Sequence, residues 1–212
     1  MKRIFDLVFS AAGLVLLSPL LALIAIRLYR EDGGPVFYRG ERVGKDGVPF
    51  RIYKFRTMVV NAEQLGGSST ADGDPRITSF GRKLRQYKLD ELPQLFNVLL
   101  GEMSLVGPRP EVRFYTDMFT AEEKAILRVR PGITNWASIW NPDEGGLLAG
   151  AADPEAAYRE LIRPTKLRLQ LKYVRNHTVL ADLTIILLTL LTVIRPRSPV
   201  IRGIRQRLAA TP

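Results

Sequence analysis

The chain has 212 residues, enough for one domain with a modest core plus appended membrane elements, and it contains no cysteine and one histidine, His177. Disulfides, thiolate catalysis and cysteine-based zinc sites are therefore excluded, and so is a Ser-His-Asp triad unless His177, which reads as a surface or packing residue, serves in it. A formal charge of +10, from 31 Lys+Arg against 21 Asp+Glu, implies a polyanionic partner such as nucleic acid, an anionic lipid leaflet or a phosphorylated substrate.

Leu7 to Ile26 carries no charged residue and is long enough, at roughly 20 positions, to cross a bilayer as a helix. A cleaved signal peptide fits poorly: the apolar run is long, Asp6 sits in its basic lead-in, and no small-x-small site follows. A plain transmembrane anchor is compatible with the length. Two features favour a re-entrant helix instead. Lys2 and Arg3 precede the segment and Arg27 and Arg30 follow it, so both ends carry the charge that prefers the cytoplasmic side. In the middle, Ser18-Pro19 predicts a break, because proline removes a backbone donor and clashes with the carbonyl four residues back, while Ser18 can bond a freed carbonyl.

Val36 to Met58 reads as paired strands, with Phe37-Tyr38 and Phe50 to Tyr53 flanking a Lys45-Asp46-Gly47 turn. Residues 66–74 are rich in Gly, Ser, Thr and Asp and predict a loop. Thr78 or Ser79 can cap a helix through about Tyr87. A second helix is expected from near Asp90 to Leu100, with Gly101 as its stop and Pro93 tolerated in its first turn. Further helices are expected at 121–130 and 154–162, separated by a loop-like stretch from Asn141 to Ala152. Lys166 to Asn176 is ambiguous: Leu167, Leu169, Leu171 and Tyr173 alternate as in a strand, yet also pair at helical spacing. Val179 to Ile194 is apolar but short and carries Asp182 and Thr189 on nearly one face, which suits a docked or interfacial helix. The arginines from Arg195 to Arg207 alternate with apolar residues as in an amphipathic tail on anionic headgroups, or a flexible basic tail.

Chemistry-bearing residues concentrate around Asp90-Glu91. Alone, such a pair at a helix start is a cap. Here Arg85 lies just upstream, a helix N-terminus offers donors to an anion, and Arg109, set between Pro108 and Pro110, can meet phosphate oxygens bidentately. Lys54 and Arg56 at the end of the hairpin add charge. Such a set can bind a diphosphate, and two adjacent carboxylates can hold a divalent cation, supply a nucleophile, or do both.

With these residues the sequence resembles the monotopic phosphoglycosyl transferases, the bacterial sugar transferase family that starts polyprenyl-linked glycan assembly. The resemblance runs through Lys2 to Asp6, Ser18-Pro19, Glu41 to Gly44, Lys54 to Met58, Leu89 to Asn97, Met103 to Pro110 and Arg130 to Thr134. It implies an α/β fold, mostly helical with a small β-hairpin: a re-entrant membrane helix over residues 1–30, broken at Ser18-Pro19, and a catalytic domain over 31–212 with membrane-associated C-terminal helices. The expected location is the cytoplasmic face of the bacterial inner membrane. The implied reaction moves a sugar phosphate from a UDP-sugar to undecaprenyl phosphate. Asp90 is the implied nucleophile, forming a covalent phosphosugar and releasing UMP. Asp90 and Glu91 are the implied Mg²⁺ ligands, and Lys54, Arg56, Arg85, Pro108, Arg109 and Pro110 the implied substrate contacts. Asn135 stands where many relatives carry Gly, and Ser138 to Leu148 is a variable segment, so the sugar itself is left open.

Two other readings of the residues compete. A basic membrane-peripheral or nucleic-acid-binding module would interleave a basic patch with exposed aromatics; the arginines here are sparse and individually placed, so nucleic acid is not an expected partner. A metal-dependent nucleotide-sugar hydrolase would use the same carboxylates with water as acceptor and leave the apolar segment only an anchoring role.

Overall fold

The computed structural model describes residues 2–65 and 73–210, so most of the loop expected at 66–74 lies outside the described residues. The first element, α1 (Lys2–Asp32), is the one helix among them long and apolar enough to cross a membrane. Helical backbone continues through Ser18-Pro19 without interruption, where one helix was expected to end and another to begin. Pro19 lacks the N–H that would bond the Val15 carbonyl. The Ser18 hydroxyl donates to that same carbonyl at 2.8 Å, so the freed acceptor is satisfied and the helix has no need to end.

One stripe of α1, at Arg3, Asp6, Ser10, Gly13, Leu17, Leu21, Ile24, Leu28 and Glu31, is buried or half-buried against the rest of the chain. The opposite side, including Val8, Val15, Leu16 and Leu23, is exposed and apolar. Both ends are fastened. Arg3 donates to the carbonyls of Val98 and Leu99, Lys2 pairs with Asp182 at 2.6 Å, and Asp6 accepts from Ser104 and the Leu105 N–H. At the far end Asp32 pairs with Arg56.

The hairpin has two offset arms. β1 (Phe37–Tyr38) is followed by β2 (Glu41–Val43), β3 (Pro49–Arg51) and β4 (Lys54–Phe55); β2 pairs antiparallel with β3, and β1 with β4. The turn at Lys45–Gly47 places Asp46 and Gly47 at positive φ, as the Asp-Gly signal predicts. Next come α2 (Ser79–Gln86), capped by the Thr78 hydroxyl on the Gly81 N–H, and α3 (Gln94–Leu100), stopped by Gly101 at φ 85°. The helix expected to start near Asp90 begins four residues later, and Leu89–Glu91 is a separate 3-10 turn.

β5 (Ser104–Val106) pairs in parallel with β6 (Gly132–Thr134), a pairing the sequence does not announce. Between them lie α4 (Arg113–Thr116) and a 3-10 segment, Glu123–Arg128, in place of the longer helix expected there. Then follow α5 (Trp136–Trp140), α6 (Glu144–Leu148) and α7 (Pro154–Ala157). α7 leads through a π turn into α8 (Arg163–Asn176), so the ambiguous Lys166 to Asn176 stretch is helical. α9 (Val179–Ile194) docks through the polar face read from its sequence: Asp182 accepts from Tyr173, and Thr189 meets Thr134. The tail forms α10 (Pro199–Ala210). It turns Ile201 and Leu208 into the protein, leaves Arg202 exposed, and seats Arg205 on the Ile139 carbonyl. His177 is exposed and packs beside Tyr173, as a surface residue would.

Five apolar clusters hold the described parts together, three of them around the elements that carry the site. Val106, Ile139, Leu169, Tyr173 and Ile185 join β5, α5, α8 and α9. Phe50, Ile52, Val98 and Met103 join the hairpin to α3, and Ile24, Leu28, Phe55 and Leu84 join α1 to the hairpin and α2. Each fully buried large apolar side chain contributes about 1.5–3 kcal/mol. The chain is thus mostly helical, with three two-stranded sheets among the described residues.

Candidate active site

The site forms where α3, the hairpin and the loop after β5 meet. Asn97 does the fastening between the first two: its side chain accepts from the Tyr53 N–H and donates to the Arg51 carbonyl and to Glu102. With the strand end fixed this way, Lys54 faces the 3-10 turn that carries Asp90 and Glu91. Gly107-Pro108-Arg109 is fastened in turn by β6, because Gly107 donates to the Thr134 carbonyl and Gly132 donates to the Pro108 carbonyl.

Lys54 Nζ and Arg109 Nη2 each lie 2.8 Å from the same oxygen, Glu91 Oε1. Asp90, only 8% exposed, sits beside this knot without joining it. Its Oδ1 is buried with no hydrogen-bond partner among the described residues, and no side-chain cap bond forms at the turn or at the start of α3. The capping role that an Asp-Glu pair usually fills is therefore not the role of Asp90 here. A buried carboxylate oxygen without a partner is costly, and such an arrangement points to a group kept for a ligand or a reaction.

The two neighbours are driven apart in acidity. Burial pushes the Asp90 carboxyl above its ordinary value; Lys54 opposes that shift and the Glu91 charge reinforces it. Burial acts on Glu91 in the same direction, but Arg109 and Lys54 outweigh it and hold this carboxyl well below the usual range. Burial also pushes the Lys54 ammonium down against the pull of Glu91. Opposed shifts in adjacent carboxyls are the pattern expected when one is a fixed charge and the other does chemistry.

Lys88 stands in the left-handed region, φ 56°, two residues before Asp90. For a residue other than glycine this conformation is strained, and strain of this kind gathers at functional sites. Arg85, on the last turn of α2, lies close enough to oppose the upward shift of Asp90 and to help lower Asp74, and its guanidinium makes no hydrogen bond or ion pair among the described residues. Arg56 is buried and pairs with Asp32 at the end of α1, while its Nη1 is buried with no partner among the described residues. Gly34 leaves room for it, since a Cβ there would fall 2.2 Å from Arg56 Nη1. Pro108 and Pro110 are buried and shape the Arg109 loop.

No group of three metal-ligating side chains occurs among the described residues. Mg²⁺ commonly takes only one or two carboxylates and completes its shell with water and substrate phosphates. Asp90 Oδ1, buried without a partner, and Glu91, whose Oε1 receives both cations, form a donor pair of that kind.

A second polar group adjoins the first and was not singled out from the sequence. Lys166, 3% exposed, lies 2.9 Å from Glu111 Oε1, in ion-pair contact without hydrogen-bond geometry. It also lies 3.1 Å from Glu144 Oε1 and 3.1 Å from the Tyr158 hydroxyl. Lys166, Gln170 and Tyr173 make one buried polar stripe of α8 at helical spacing. That stripe is readable from the sequence once the segment is taken as a helix.

The family model described as bacterial sugar transferase matches residues 1–196. Among curated proteins, the chain is 38% identical over 196 residues to the UDP-N-acetylgalactosamine-undecaprenyl-phosphate N-acetylgalactosaminephosphotransferase of Aeromonas hydrophila, a match covering 91% of this chain and 43% of that protein. It is 35% identical to the UDP-glucose:undecaprenyl-phosphate glucose-1-phosphate transferase of Escherichia coli, covering 89% of this chain and 39% of that one. It is also 35% identical to the exopolysaccharide production protein ExoY of Sinorhizobium fredii, covering 89% of this chain and 83% of that one. The chain thus spans less than half the length of the first two relatives.

Proposed function

Because the chain belongs to the bacterial sugar transferase family, we propose that it transfers a sugar phosphate from a UDP-sugar to undecaprenyl phosphate through a covalent intermediate on Asp90. The observation that carries this reading is the buried, unpartnered Asp90 carboxylate beside the Lys54–Glu91–Arg109 knot.

An Asp90 oxygen attacks the phosphorus that bears the sugar. The bond between that phosphorus and the bridging oxygen breaks, UMP leaves with the electron pair, and an aspartyl-phosphosugar remains. An oxygen of undecaprenyl phosphate then attacks the same phosphorus, the aspartyl oxygen leaves, and the product is an undecaprenyl diphosphate sugar. Arg109 and Lys54, preset on Glu91, are placed to meet the diphosphate oxygens, and Arg85 adds charge without having to give up a partner. Mg²⁺ held by Asp90 and Glu91 would neutralise charge on the diphosphate and the leaving UMP. The raised basicity of Asp90 favours nucleophilic attack once the group is ionised.

The relatives named for N-acetylgalactosamine and for glucose match the chain at 38% and 35% identity, so overall similarity does not select the sugar. The test is release of UMP from UDP-sugars by protein in lipid nanodiscs. Release depends on added Mg²⁺, and with undecaprenyl phosphate withheld, radiolabel from the sugar stays on the protein. UMP release without protein-bound label would favour the hydrolase reading.

The membrane arrangement we propose is supported by α1. A 31-residue helix has a contour of about 45 Å, more than the roughly 30 Å hydrocarbon layer it would cross. Yet Arg3 and Asp32, near its two ends, are both held by the same folded unit. We therefore place both ends on the cytoplasmic face of the inner membrane, with the exposed apolar side of α1 in lipid. Tags before Lys2 and beside Glu31 are both expected to react with an impermeant reagent only from the cytoplasmic side. Labelling from opposite sides would establish a spanning helix.

A further inference from the structure

Glu144 is an unusual neighbour for a phosphate site. Lys166, almost wholly buried, is committed to Glu111, Glu144 and Tyr158, and Glu111 is two residues from Arg109, the guanidinium of the Glu91 knot. The chain of contacts therefore runs from Asp90's neighbour Glu91 through the Arg109 loop to Lys166 and out to Glu144. The Glu144 side chain remains 35% exposed, so the buried lysine holds a partly exposed carboxylate within electrostatic reach of Arg109. Arg109 and Lys88 both act on this carboxylate electrostatically, as they do on the pair or its surroundings at the centre.

A negative group so placed repels a diphosphate, so it is not a contact for phosphate. A carboxylate is acceptor-only and suits hydrogen-bond donors without charge. The substrate group that carries such donors, and that is joined directly to the phosphorus attacked by Asp90, is the sugar. Desolvating a lysine to hold a surface carboxylate also gains little for the fold, because buried ion pairs are weak sources of stability. It does fix the direction of the carboxylate, which is what recognition of a hydroxyl requires.

Resting on the nucleotide-sugar reading above, we propose that Glu144, held in place by Lys166, accepts a hydrogen bond from a hydroxyl of the donor sugar and determines which sugar is transferred. Lys166 is a positioning residue in this arrangement.

The experiment is a coupling cycle on kcat/KM for UMP release, using the best UDP-hexose or UDP-N-acetylhexosamine found for the wild type and its monodeoxy analogues. Glu144→Gln is expected to lower kcat/KM for the parent donor roughly tenfold or more, as loss of a hydrogen bond to a charged group does. One deoxy position costs the wild type a similar factor and costs Glu144→Gln almost nothing, which is the signature of a shared contact. Glu144→Asp keeps the charge beside Arg109 but retracts the carboxylate, and it is expected to lose the same coupling. Wild-type behaviour in Glu144→Asp, or an equal fall for all donors in Glu144→Gln, would mean that Glu144 acts only on Arg109 and would overturn the proposal. If the wild type releases UMP from no UDP-sugar, the enzymatic reading itself fails, a result separable from loss of coupling in an active enzyme.

Discussion

Asp90→Asn is expected to lower UMP release by at least about a thousandfold and to abolish the protein-bound label, because no second group replaces a missing nucleophile. The same substitution is not expected to damage the fold. Asn is isosteric, the carboxylate accepts no hydrogen bond from a described residue, and burial already raises the acid above its ordinary value. An acid with a raised folded-state pKa favours folding most below its unfolded value of about 3.9, and that contribution is lost as pH rises through the folded value. At pH 7 the ionised Asp90 is therefore a burden on stability, and Asp90→Asn should melt no lower than the wild type. Their difference should shrink as the pH falls. Residual turnover in a well-folded Asp90→Asn protein would remove the nucleophile assignment. Glu91 obeys the opposite sign: its depressed carboxyl supports the fold above about pH 4.3 and loses that support as pH falls through its folded value.

Gly132→Ala is expected to destabilise the protein by about 3 kcal/mol or more, measured by denaturant unfolding, and to abolish activity together with folding. β5 and β6 run side by side, and a Cβ at Gly132 would lie 1.9 Å from the Gly107 backbone nitrogen and 2.6 Å from its Cα. Backbone cannot yield as a flexible side chain can. Any relief must separate the two strands, break the bond from the Gly132 N–H to the Pro108 carbonyl, and shift the Arg109 loop away from Glu91. Gly47→Ala tests the contrast. Gly47 has an open surrounding and a positive φ of 79°, so its cost is the smaller one of placing alanine in a left-handed turn, about 1 kcal/mol. Equal costs at the two positions would mean that the close approach of β5 and β6 is not what Gly132 serves.

Local chemistry was legible in the chain wherever one residue type has one physical use. Thr78 caps α2, Gly101 stops α3, Asp46-Gly47 makes the hairpin turn, and the polar face of α9 docks through Asp182 and Thr189. The sequence leaves the element undecided where two local preferences are nearly balanced. Lys166 to Asn176 satisfies strand and helix spacing together, and only packing on α5 and the rest of the core selects the helix. Proline chemistry predicts a break at Pro19 because the Val15 carbonyl loses its donor, whereas the adjacent Ser18 hydroxyl bonds that carbonyl.

The sequence by itself determined the kind of site: an acidic pair, a proline-bound arginine and a strand-end lysine, in a chain with a long apolar N-terminal helix. Only the tertiary structure decided how they divide. Lys54 and Arg109 both chose Glu91, which left Asp90 buried and unpartnered; Arg56 turned to Asp32; and Lys166 brought Glu111, Glu144 and Tyr158 together. Acidity, pairing and burial depend on distances between residues far apart in the chain, from Lys54 to Glu91 to Arg109 to Lys166. Coulomb and desolvation energies change steeply over a few ångströms, and sequence spacing carries no such distances.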